Sequence, residues 1–159
     1  MTLLNAPQFD VTKETRQRNI LIASGVLVLA IALTAVGGFL LGHGWFFSNL
    51  PAEHRVNVFL STLQSGDYSK AYGIFYNDPN WQQHPDKYKD YPLQRFTEDF
   101  TTESEWKTPI TSFHVGCSKR GESGTAVAVT INSGTNLTLE YLRSDGTLAF
   151  FPLQLSCGL

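Results

Sequence analysis

GDYSKAYGIF, residues Gly66–Phe75, is the stretch whose reading decides the fold. Gly66 follows Ser65 at the point where a helix should stop, because glycine accepts the left-handed conformation of a helix C-terminus. Asp67 is suited to cap the start of a second helix. Upstream, Pro51 occupies a favoured first-turn position, and Val56, Phe59, Leu60 and Leu63 fall on one helical stripe. Downstream, Tyr68, Ala71, Tyr72, Phe75 and Tyr76 form a second stripe. The stretch therefore reads as a helix–break–helix corner and needs no chemistry to explain it.

Beyond the corner lies a polar loop punctuated by aromatic residues, Asn77–Pro92, which Pro79, Pro85 and Pro92 keep from forming a long helix. A third amphipathic helix is expected around Leu93, Phe96 and Phe100. From about Pro109 the period changes to two. Phe113, Val115 and Cys117 alternate with polar or small residues, as do Val127, Val129 and Ile131, and then Leu137, Leu139 and Tyr141. A fourth run starts at Leu148 and Phe150 and resumes out of phase at Leu153, Leu155 and Cys157. A bulge at Phe151-Pro152 would restore its register. The intervening segments RGESG, NSGTN and RSDG are rich in turn residues. Helices first and antiparallel strands after them predict an α+β domain over residues 52–159, with about three helices packed on a curved four-stranded antiparallel sheet.

Upstream of residue 51 the composition is different. Ile20–Leu41 carries no charge over 22 residues, which as a helix spans about 33 Å, enough to cross a hydrocarbon core. A cleavable signal peptide would have a shorter apolar region followed by small residues at a cleavage site, whereas GHGWFFSNLPAEH follows here. The expected organisation is a cytoplasmic tail at 1–19, a transmembrane helix at 20–42 and a juxtamembrane linker at 43–51. Lys13, Arg16 and Arg18 precede the run and only Arg55 closely follows it. The positive-inside tendency thus puts the amino end in the cytoplasm and the domain on the extracytoplasmic side of the cell membrane. Trp45, Phe46 and Phe47 suit the outer interface. Ala30, Thr34, Gly38 and Gly42 recur every four residues and mark a face on which two such helices could pack as a homodimer.

The formal net charge of −2 gives no basic footprint for nucleic acid, so no nucleic-acid partner is expected. His43, His54, His84 and His114 do not form a metal-ligand spacing with the two cysteines, and neither a metal nor another cofactor is expected. There is no phosphate-binding glycine loop and no G-x-S-x-G, and no catalytic constellation is assigned. Cys117 and Cys157 both fall on the side expected to be oxidising. Both also have the phase of the core residues in their strands. A bridge between them is expected, but a simple four-strand meander sets its first and last strands too far apart. A different strand order, strong curling of the sheet, or two free buried thiols are the alternatives.

The segment VNVFLSTLQSGDYSKAYGIF, Val56–Phe75, resembles the opening of NTF2-like domains within the cystatin-like α+β roll superfamily. In these a first helix, a "gD(y/w)xxAY" corner and a second helix precede a curved antiparallel sheet. The resemblance is to the membrane-anchored type frequent in bacteria and covers about Ala52–Leu159. Because the family hosts enzymes, ligand binders and assembly modules, it does not select a function. Enzymatic members, such as ketosteroid isomerases and polyketide cyclases, place acidic, tyrosine or histidine groups inside the cone between helices and sheet. His84, Asp86, Tyr88 and His114 are the residue types available for that role here. His114 has the phase opposite to Phe113 and Val115 and should face away from the core. Trp81, His84, Tyr88, Tyr91 and Trp106 gather around the loop and third helix and are the candidate surface for an envelope protein partner or a small apolar ligand; ordinary core packing is the other reading of the aromatic ones. The expectation is a non-catalytic binding domain held at the membrane bilayer, the alternative a small isomerase or cyclase.

Overall fold

The computed structural model describes residues 11–101 and 109–157. Its first element, α1 (Val11–Leu40), is one unbroken helix, about 45 Å long at the usual rise. The expected boundary at residue 19 is therefore not a structural one. Val11–Asn19 continues the same helix, since it holds neither glycine nor proline to stop it. Along its apolar part nearly every large side chain is solvent-facing, Leu21 at 71% and Leu33 at 66%. That amounts to roughly 1,000 Å² of uncovered apolar surface, or on the order of 25 kcal/mol if left in water. The helix is long and apolar enough to cross a membrane.

Helix α1 stops at Leu40, and Gly42 and Gly44 both take φ +77° immediately after. A short 3₁₀ turn at Trp45–Phe47 leads into α2 (Leu50–Gln64). Phe46 and Phe47 also have positive φ, 53° and 55°, so the connection is tightly wound rather than a loose linker. Helix α2 buries Ala52, Val56, Phe59, Leu60 and Leu63. At its end the Gly66 amide bonds to the Leu63 carbonyl (2.9 Å) and the Asp67 amide to that of Thr62 (3.3 Å), with Gly66 at φ +78°. This is the paired termination that a left-handed C-terminal residue makes possible. Asp67 then caps α3 (Tyr68–Phe75), accepting from the Lys70 amide at 3.0 Å. The corner thus has the form its sequence implies.

Two 3₁₀ turns, Trp81–Gln83 and Pro85–Tyr88, lead to the short helix α4 (Leu93–Asp99). The strands β1 (Phe113–Arg120), β2 (Gly124–Ile131), β3 (Thr135–Leu142) and β4 (Leu148–Phe150) form one antiparallel sheet in the order β1-β2-β3-β4. The protein is thus α+β, an apolar N-terminal helix followed by helices packed on one face of a four-stranded antiparallel sheet. Phe59, Phe96, Phe100, Val127, Ile131 and Leu139 meet between helices and sheet with essentially no exposure. Phe59 lies edge-on to Phe96 and Phe100 at 6.2 and 5.6 Å between ring centroids. These contacts fill the interior with aromatic rings.

Two sequence expectations for the strands need correction. First, β1 carries an irregularity between Val115 and Ser118, so that Gly116 and Cys117 stand together opposite Ala128. The extra residue moves Cys117 off the core phase and brings Ser118, opposite Val127, onto the helix side, where it is buried. Second, no strand resumes after Phe150. Residues 151–157 instead leave the edge and cross the outer face of the sheet as a strap. The Phe151 amide bonds to the Thr138 carbonyl (3.0 Å) and the Leu155 amide to Thr138 Oγ1 (3.0 Å). Thr138 faces away from Val127 and Leu139, so the strap lies opposite the helices. Cys157 is consequently exposed and lies outside any strand. Cys117 and Cys157 lie at disulfide distance, with S–S 2.05 Å and Cα atoms 5.5 Å apart. The strap resolves the conflict between this pair and a simple meander: strand order is unchanged, and the chain after β4 travels back to β1.

Candidate functional site

The loop after α3 is organised by Asp78. Its Oδ2 accepts from the Tyr88 hydroxyl (2.7 Å) and lies 3.0 Å from His84 Nδ1, while Oδ1 accepts from the Asn80 amide (2.9 Å). The Tyr88 hydrogen bond, helped by His84 and the Asn80 amide, holds the Asp78 carboxyl below its usual range. Trp81 donates from Nε1 to the Ser69 carbonyl (3.2 Å) and packs edge-on against Tyr72 at 4.8 Å. Tyr72 in turn donates to the Tyr91 carbonyl (2.5 Å), and Tyr91 to Asp99 Oδ2 (2.7 Å). Burial pushes the pKa of both phenols up and so keeps them neutral, with neighbouring Tyr76 adding to the effect at Tyr72 and Asp99 at Tyr91.

The candidate surface residues thus divide. Tyr88 is 5% exposed, Tyr91 and Trp81 are half-buried, and all three anchor the loop to α3. His84, with a side chain 53% exposed, faces solvent beside exposed Gln82 and Asp86. Trp106 lies outside the described residues. A shallow groove bordered by Arg55, Lys70 and Trp81 runs beside this loop. Arg55 is occupied there by bonds to the Ile74 carbonyl and Asn77 Oδ1. His114 is exposed on the outer sheet face. None of the described His, Cys, Asp and Glu groups forms a cluster able to hold a metal ion.

A second polar cluster joins α1 to the domain. Glu53 on α2 is buried, with both carboxyl oxygens 2.8–2.9 Å from His43 Nδ1. Ser118 Oγ, brought inward by the irregularity in β1, donates to Glu53 Oε1. The Ser118 amide donates to the Gly42 carbonyl (2.9 Å), and its carbonyl accepts from Asn49 Nδ2 (3.2 Å). Both backbone groups of this edge residue are therefore satisfied by the segment that follows α1. Gly42 sits so close to Cys117 that an added Cβ would lie 2.9 Å from the Cys117 Cβ. Gly38 faces the turn, where a Cβ would lie 2.5 Å from the Gly44 carbonyl oxygen. Of the four-residue series Ala30, Thr34, Gly38 and Gly42, the last two thus pack within the chain, and Gly42 lies beyond the helix. Thr34 bonds back to the Ala30 carbonyl (2.8 Å).

Sequence reasoning passed over Glu53. Yet it stands three residues before Val56 and seven before Leu60, which is the apolar stripe. That spacing was the available signal for a buried acid. Nothing local to Ser118 announces its inward position, which depends on the irregularity at Gly116-Cys117. Comparisons of the chain with protein-family models, curated proteins and solved structures gave no significant match.

Proposed function

We propose that the chain is a single-pass membrane protein, amino end in the cytoplasm, that displays a non-catalytic NTF2-like domain on the outer side of the cell membrane to bind a partner protein or small ligand. The observation that carries this reading is the junction: an uncovered apolar helix passes within two residues into hydrogen bonds with the edge of a folded domain. An element about to be removed has no need of Gly42 and His43 as structural partners of Ser118 and Glu53. Helices before sheet, joined by the Gly66-Asp67 corner, support the NTF2-like assignment. The isomerase or cyclase alternative needs an ionisable group free to act inside the cone, where Phe59, Phe96 and Phe100 pack ring against ring and the buried Tyr72 hydroxyl and Glu53 carboxylate are already engaged by the Tyr91 carbonyl and by His43 and Ser118. Solvent-facing Gln82 and His84, displayed on a loop fixed from behind by Tyr88 and Trp81, are the favoured contact residues for a partner.

The test has two stages. In native membranes the full chain should resist alkaline extraction, and added protease should reach the domain only from the extracytoplasmic side. Extraction at high pH, or protection of the domain, refutes the topology. Crosslinking in those membranes, followed by mass spectrometry, should then recover a partner with wild type and lose it with Gln82→Arg/His84→Glu. Equal recovery with the variant removes the loop as the contact.

A further inference from the structure

The concave surface at the foot of α1 has two unlike walls. One is apolar, made by Phe39 at the end of the helix, by Leu41 just after it and by Trp45, whose ring stacks on Phe39 at 5.0 Å. The wall is open to solvent, with Trp45 55% and Leu41 65% exposed, and continues the uncovered side of α1. The other wall is the outer edge of β1, with His114, Lys119 and Arg120. Both Lys119 and Arg120 are exposed. Among the described residues neither has an ion-pair partner. The concavity measures about 960 Å³ and has no carboxylate among its lining residues, although the whole chain carries more acidic than basic groups. The strap's Leu155–Cys157 closes one end.

An apolar wall running along a membrane helix, meeting two free cations at its end, is complementary to an amphiphile with a phosphate headgroup. We infer that this cleft binds an acidic phospholipid of the outer leaflet, its acyl chain along Phe39, Leu41 and Trp45 and its phosphate at the edge of β1 that Lys119 and Arg120 flank from either face. This inference rests on the reading of α1 as a membrane span. The lipid would bridge the helix and the sheet edge at the same junction that Glu53 and Ser118 hold from inside.

The full chain, purified in mild detergent with equal amounts of phosphatidylglycerol and phosphatidylcholine, is examined for retained lipid by native mass spectrometry. Wild type should retain phosphatidylglycerol over phosphatidylcholine on the order of tenfold. Lys119→Glu/Arg120→Glu should lose that preference, while Lys87→Glu/Lys89→Glu, outside the cleft, should keep it. A cooperative thermal unfolding transition with a Tm close to that of wild type checks that the variants are folded. An unchanged preference in the Lys119/Arg120 variant overturns the inference, as does equal retention of both lipids by wild type. Thermal stabilisation by inorganic phosphate without lipid retention also overturns it, since the cleft would then be a site for a free anion. Flotation of the full chain with vesicles is read in parallel. Failure to float refutes the membrane span itself, whereas flotation without lipid preference refutes only the cleft.

Discussion

Removing the link between Cys117 and Cys157 by Cys117→Ser/Cys157→Ser tests how the strap contributes to stability. The two residues are 40 apart in sequence. Closing a loop of that size in the unfolded chain lowers its entropy enough to stabilise the native state by about 4 kcal/mol. This is an upper bound here, because the strap is otherwise held chiefly by two hydrogen bonds to Thr138. Without the link, residues 151–157 can leave the outer face while the helices and sheet stay folded. The native state of the variant then regains part of the entropy that the link had withheld. The expected loss is about 2–4 kcal/mol, which for a domain of this size lowers Tm by about 10–20 °C. Scanning calorimetry of the oxidised full chain in detergent, against the double serine variant, measures it. Hydrogen exchange supplies the second readout: the Leu155 amide should lose protection, while the Ser118 amide, bonded to Gly42, should keep most of its own. A Tm change below about 3 °C, or equal loss of protection at both amides, refutes the picture of a strap that detaches independently.

Glu53→Leu leaves His43 and Ser118 without their shared acceptor and should cost about 1–3 kcal/mol, measured by denaturant titration; Glu53→Gln, which can still accept from one of them, should lose less. Gly42→Ala places a methyl against Cys117 at positive φ, and a Tm decrease with faster exchange of the Ser118 amide is the expected outcome. The Asp78 carboxyl ionises below its unfolded value of 3.8. Its contribution is therefore complete above that value and is lost as pH falls through the lower folded one. Tm measured from pH 6 downward should fall less steeply at the acid end for Asp78→Asn than for wild type. Tyr72 and Tyr91 are raised from 10.0, so stability is complete below pH 10 and declines as pH rises beyond it. Absorbance at the phenolate band should show these two rings ionising only as the domain unfolds.

The helical half of the domain was legible because its signals are local. A stripe at Val56, Phe59, Leu60 and Leu63, a glycine and a capping aspartate are each decided within a few residues. The alternation in β2, β3 and the first half of β1 is legible for the same reason, whereas the irregularity at Gly116-Cys117 is not. The strap was not, since Leu153, Leu155 and Cys157 alternate as a strand would, yet Leu153 is 68% exposed. What diverts the chain is Pro152, which cannot donate to a ladder, together with a distant pull from Cys117. The composition of the aromatic loop suits either a binding surface or ordinary core packing, and which side each ring takes is decided by partners beneath the loop: Trp81, Tyr88 and Tyr91 turn inward onto Ser69, Asp78 and Tyr72. Such partners come together only in three dimensions, as do Glu53 and Ser118.

The two free margins of the sheet have a consequence for recognition. On one side the backbone of Ser118 is already bonded to Gly42 and Asn49, and Cys117 is tethered. On the other, β4 ends after three residues and the chain turns away across the sheet. A visiting extended peptide would find the backbone already engaged at Cys117 and Ser118 on one margin and only a three-residue strand on the other, so partner recognition by strand addition is disfavoured there. Whatever the domain engages must be read through its side chains. Specificity can then change by surface substitution alone.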